Sequence, residues 1–185
     1  MAIEWIILLA IVLISAIWTI SVYNKFVKLK VLMDEGWSAV DVFLKKRYDL
    51  IPNLVESVKG YATHEKETLE AVILARSNAM GATDLASKAQ YEGELGGVLG
   101  RLMAITEKYP ELRANENFMY LQQELTQLEG EIERSRRYYN GTVRENNIAI
   151  KVFPKNFIAN MFRFTSGQFF EITDKSQREA PRVSF

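Results

Sequence analysis

The 185-residue chain has no cysteine, which excludes disulfides, thiolate metal sites and thiol nucleophiles and fits a reducing or an oxidising compartment equally. It has one histidine, His64, so neither a multi-histidine zinc centre nor the paired Glu-x-x-His motifs of a di-iron bundle can be assembled. Thr68 stands where the second histidine of a helical HExxH would be. Four prolines and ten glycines are too few for an all-β or disordered chain. Net charge is absent too: 23 lysines and arginines balance 23 acidic residues, so no global field points to nucleic acid. Lys45-Lys46-Arg47 is too short a patch, and too close to Asp41 and Asp49, to change that. No Gly-x-Ser-x-Gly elbow occurs. Carboxylate pairs such as Glu65 and Glu70, or Glu131 and Glu133, have spacings that do not face each other on a helix.

What is present begins with Trp5–Val22, an almost uninterrupted apolar run. As a helix, eighteen residues cover roughly 27 Å, close to the hydrocarbon core of a bilayer. Trp5 at one end, with Trp18 and Tyr23 at the other, suits the aromatic belts of the two interfaces. A cleaved signal peptide would need a basic amino-terminal region and a small-x-small cleavage site; Glu4 and the absence of both favour a retained anchor. Lys25, Lys28 and Lys30 follow the span, and by the positive-inside rule they place the rest of the chain in the cytoplasm. The opposite side, periplasmic or extracellular, is the alternative.

Beyond the span, residues 23–153 read as a helical bundle with segments at about 23–48, 50–80, 84–108 and 116–153. Phe26, Leu29, Met33, Val40 and Leu44 carry helical spacing straight out of the anchor. Pro52 lacks an amide hydrogen and belongs in a first turn, so a new helix is expected near Asp49, its N-cap, after either a kink or a reversal. Gly93, Gly96, Gly97 and Gly100 crowd the third segment, which makes a phosphate loop only if a strand and turn precede it. Neither does. A smooth stripe where another helix approaches, or a locally weak helix, is the expectation instead. The last segment has an apolar seam at Phe118, Leu121, Leu125, Leu128, Ile132, Ser135 and Tyr139, with coiled-coil-like spacing. No sustained period-two pattern occurs. The fold class is all-α: a transmembrane helix, a four-helix-type bundle and a phenylalanine-rich tail over 154–185.

That tail includes Phe157, Phe162 and Phe164 and must be covered. It can fold back on its own bundle, pack on a neighbouring subunit, or lie in the lipid interface. Asp41, Arg47, Asn53, Glu56, Arg137 and Asn140 lie near the seams as candidate structural polar groups that fix helix register. Gly93, Gly97, Gly100 and the tail phenylalanines are the candidate interaction residues, in a homo-oligomer above all. No catalytic, cofactor or metal residue is assigned.

The segment Arg47–Ala62, RYDLIPNLVESVKGYA, resembles the LemA family of bacterial membrane-anchored proteins. The likeness extends over Tyr23-Asn24, Tyr109-Pro110-Glu111-Leu112, Asn115-Glu116-Asn117-Phe118, Tyr138-Tyr139-Asn140 and Glu179-Ala180-Pro181-Arg182-Val183. The resemblance implies a helical bundle without an agreed activity. It also implies a gene that neighbours those of membrane zinc proteases and other envelope proteins. The expected function is a scaffold of the bacterial envelope that binds the bilayer, itself and partner membrane proteins. An enzyme or ligand-binding bundle is the alternative, and would require a concave pocket with converging polar groups.

Overall fold

The computed structural model of the chain describes residues 1–62 and 64–171. The closing stretch Glu179–Val183 lies outside the described residues. Six helices are found among those described: α1 (Ala2–Lys59), α2 (Lys66–Gly81), α3 (Leu85–Thr106), α4 (Pro110–Arg113), α5 (Glu116–Lys151) and α6 (Lys155–Met161). No strand occurs among them, and the all-α expectation holds. The chain divides into two compact units. One comprises Met1–Ala39 and Ser135–Phe169; the other comprises Val40–Arg134 and, at the described end of the chain, Phe170 and Glu171.

In the first unit, α1 begins with the apolar run, whose side chains face outward: Trp5 is 70 % exposed and Ile14 67 %. Burial starts at Val22, Phe26 and Leu29, which pack against Ala149 of α5 and Ile158 and Ala159 of α6. Trp37 meets Tyr139 at 5.6 Å, so α1 and the end of α5 run in opposite directions. Gly36 allows their close approach, because a Cβ there would stand 3.2 Å from the Tyr139 Cα. The tail folds back on its own chain at Phe164, which stacks on Phe26 at 4.9 Å. A reversal after α6 makes this possible. Arg163 adopts the left-handed conformation (φ 58°). Its amide donates to the Asn160 carbonyl at 3.2 Å, while that of Phe164 donates to the Ala159 carbonyl at 2.9 Å, the paired bonds of a Schellman motif. Asn147 then clips the extended chain, donating to the Gly167 carbonyl at 3.0 Å and accepting from its amide at 2.8 Å.

In the second unit, the last part of α1 packs with α2, α3 and the first half of α5 around one apolar core. Val40, Leu44, Ile51, Leu54 and Val58 of α1 are buried, as are Val72, Leu95, Leu102, Phe118 and Ile132. Asp84 caps α3 by accepting from the Ser87 amide at 2.9 Å, and Asn115 caps α5 by accepting from Phe118 at 3.0 Å.

The expected break at Asp49 does not occur. Helix α1 continues through Pro52 to Lys59, Asp49 caps nothing, and the reversal falls between Lys59 and Lys66. Proline in a helix interior leaves the carbonyl four residues back without its donor. Here that carbonyl belongs to Tyr48, and the Arg76 Nε of α2 donates to it at 2.6 Å. Pro52 itself faces solvent. Replacing Pro52 by alanine should therefore stabilise the bundle by about 1–3 kcal/mol, since the carbonyl has a second lone pair for the restored helical bond. Thermal unfolding of the full chain in detergent checks this, and a clear loss would show that Arg76 depends on the gap.

The glycine stripe also differs from expectation. Among the described residues nothing packs against Gly96, Gly97 or Gly100: a Cβ at each would meet nothing within 4 Å. The close helix approach is made at Gly36 instead.

Candidate functional site

Two features of the second unit stand apart from its apolar core. The first is a buried polar knot. Arg47 (3 % exposed) lies on the inner face of α1 because Leu44 and Ile51, one turn to either side, are core residues. Its Nη2 pairs with Glu92 Oε2 of α3, itself 2 % exposed. Its Nη1 donates to Glu129 Oε1 of α5 at 2.6 Å. Tyr48 Oη donates to the other Glu92 oxygen. Arg76 adds α2 through the Tyr48 carbonyl, so four helices meet at one set of polar bonds. An arginine and a glutamate with so little water around them persist only as a hydrogen-bonded pair.

Burial pushes the Tyr48 hydroxyl up to about 12, the adjacent Arg47 charge opposing that and Asp41 adding to it. A folded-state value above the unfolded one near 10 means the protonated hydroxyl favours the fold. Its contribution is complete below pH 10 and disappears as pH rises towards 12. Tyr48→Phe should therefore flatten the alkaline side of the stability profile in that window, as read by denaturant midpoints at pH 9 to 12 for both proteins. Equal slopes would contradict the assignment.

The second feature is a groove of about 800 Å³ between α2 and α3, with Gly93 and Gly97 on its floor and Leu74 and Val98 among its walls. Gln90, Glu94 and Arg101 supply polar lining. Leu74 is 63 % exposed. On the other side of α2 a groove of about 720 Å³ runs along Val55, Ala62, Leu69 and Ile73, and shares Leu74. Neither groove is lined by Arg47, Tyr48 or Glu92.

Of the six polar residues singled out from the sequence, Arg47 is the buried one. Asp41 is exposed and pairs with Lys88 at 3.3 Å; Asn53 is exposed, and Glu56 is exposed with Lys59 at 3.5 Å. Arg137 is exposed and Asn140 half-buried in the first unit. The partner that matters most to Arg47, Glu92, carried no signal of its own: it follows Tyr91 as one charge in a run of polar and glycine residues. Its register with Ala89, Leu95 and Leu99 on the buried face of α3 was the available clue. Among the described residues no group of three or more metal-ligating side chains gathers. Of the tail residues, Phe164 is half-buried, while Phe157 and Phe162 are 62 % and 46 % exposed.

An apolar helix long enough to cross a bilayer, in a chain whose other described elements are all helices, defines a membrane-associated all-α protein. The profile of the LemA family matches residues 36–185, and the chain belongs to that family. The match leaves out the anchor residues Trp5, Trp18 and Tyr23. Among named relatives, magnetosome protein MamQ 2 of Paramagnetospirillum magneticum is 26 % identical over 189 residues, covering 88 % of this chain and 68 % of its own length. Magnetosome protein MamQ of Magnetospirillum gryphiswaldense is 26 % identical with the same coverage. Protein LemA of Metamycoplasma hominis is 25 % identical over 138 residues, 74 % of this chain and 63 % of its own.

Proposed function

We propose that the chain is a membrane-anchored helical scaffold that associates with itself and gathers partner proteins at the bacterial inner membrane. The observation that carries this is the open groove between α2 and α3. Gly97 on its floor, where a Cβ would meet nothing within 4 Å among the described residues, gives up helix stability of about 1 kcal/mol relative to alanine. That sacrifice has a use if a second copy lays an apolar side chain, such as its exposed Leu74, into the smooth floor. Anchoring in one bilayer raises the effective concentration of the copies and lets such a contact suffice. The lysines that follow the span support a cytoplasmic bundle, which protease added outside sealed spheroplasts would then leave intact. Membrane zinc proteases and other envelope proteins are the partner class implied by the family resemblance.

Sizing of the full chain in mild detergent tests the reading. The unmodified protein should run as an oligomer, and Gly97→Leu should run as a monomer of unchanged helical content. Gly97→Ala, which only fills open space, should melt higher. A monomer for the unmodified protein at every concentration overturns the proposal.

A further inference from the structure

The end of the first unit nearest the span carries an apolar ridge that the fold leaves uncovered. Phe157 (62 % exposed) and Met161 (61 %) lie one turn apart on the side of α6 away from buried Ile158 and Ala159, and Phe153 (73 %) immediately precedes the helix. Phe153 and Phe157 touch edge to face at 5.8 Å. The position of this ridge is fixed by contacts to α1. The Phe162 ring lies 4.8 Å from that of Tyr23, the first residue after the span, and Ile158 and Ala159 share a core cluster with Val22 and Phe26. Charge is arranged around the same level. Lys25, Lys28 and Lys30 of α1 and Lys151, Lys155 and Arg163 of the tail are all at least partly exposed. No acidic residue occurs in 5–33 or 146–170.

We infer that α6 is an interfacial foot: Phe153, Phe157 and Met161 enter the leaflet in which the span ends, and the surrounding cations hold anionic lipid headgroups. The occupant is lipid because the ridge is continuous with the anchor, and the cation ring complements a negatively charged membrane surface. Among the described residues nothing covers this ridge of two phenylalanines and a methionine. The foot gives the protein a second attachment, fixing the rotation of α1 about its axis. The inference rests on the anchor but not on self-association.

The chain has no native cysteine, so single cysteines can carry a polarity-sensitive fluorophore without background. The full chain is placed in phosphatidylcholine vesicles with and without phosphatidylglycerol, labelled at Leu13→Cys, Phe157→Cys or Glu35→Cys. Leu13 lies in the span, and Glu35 is exposed on α1 thirteen residues past Val22. Label at 157 should emit blue-shifted and be quenched by nitroxide lipids at least about five-fold more than label at 35, most strongly with phosphatidylglycerol present. Met161→Cys repeats the reading should Phe157→Cys disturb α6. Quenching at 13 without quenching at 157 or 161 overturns the foot and leaves the anchor standing. Shielding at 157 that grows with protein density would mean a second copy covers the ridge, and also overturns it. Equal quenching in both lipids overturns the headgroup contact.

Discussion

Glu92→Ala is expected to destabilise the bundle by about 3–5 kcal/mol, since it strands a buried guanidinium. Arg47 would keep Glu129, but that side chain is 45 % exposed and reaches only Nη1. Tyr48 would lose its principal acceptor and keep the Ala79 carbonyl at 3.5 Å. Arg47→Ala should cost a similar amount by leaving Glu92 without its counter-charge. The paired replacement Arg47→Met with Glu92→Leu should recover most of the loss, because filling the same volume with apolar groups removes both desolvation penalties. Denaturant titration of the parent and the three variants reads the two losses and the recovery. Single variants within about 1 kcal/mol of the parent would show that water reaches the pair. Recovery in the double variant would show that the knot serves register more than net stability, a role seen for buried polar groups elsewhere.

Phe26→Ala should cost about 3–5 kcal/mol in the first unit, as a fully buried aromatic whose removal leaves a cavity. Phe26 is 1 % exposed and joins the end of the span to the tail by stacking on Phe164. Its loss should free the 162–169 segment before the helices separate. The Asn146, Asn147 and Tyr139 bonds to Thr165, Gly167 and Gln168 and the Tyr23 ring contacts are then among the remaining restraints. Limited trypsin digestion at Arg163 reads this without global unfolding: cleavage should speed up markedly in Phe26→Ala and much less in Phe26→Leu. Unchanged cleavage would mean that the tail is held without the Phe26 stack.

Much of this architecture was legible in the residues. The apolar run and the seam of α5 are local signals, and the structure uses them. Pro52 misled because propensity is a local rule and its remedy is distant. The seam through Val40, Leu44, Tyr48, Ile51, Leu54 and Val58 keeps its helical period across the proline, and that continuity outweighs the missing bond once Arg76 takes the Tyr48 carbonyl. The glycines misled in the opposite sense. Composition cannot distinguish a glycine pressed against a neighbouring backbone, as Gly36 is, from glycines facing open space, as Gly97 and Gly100 are. Glu92 was illegible for a related reason: burial of a charge depends on a partner 45 residues away. The resemblance to LemA proteins rested largely on Arg47–Ala62, the stretch that contributes Arg47, Tyr48 and Pro52 to the knot.

The central claim, a scaffold that meets its own copy through the α2–α3 groove, is tested most directly by a photo-crosslinking amino acid at position 97 in native membranes. The account predicts a covalent dimer of this chain on illumination, captured alone or with a membrane partner, and its loss when Leu74→Glu is added. Illumination that yields only monomer, with the protein folded and in the membrane, would contradict it.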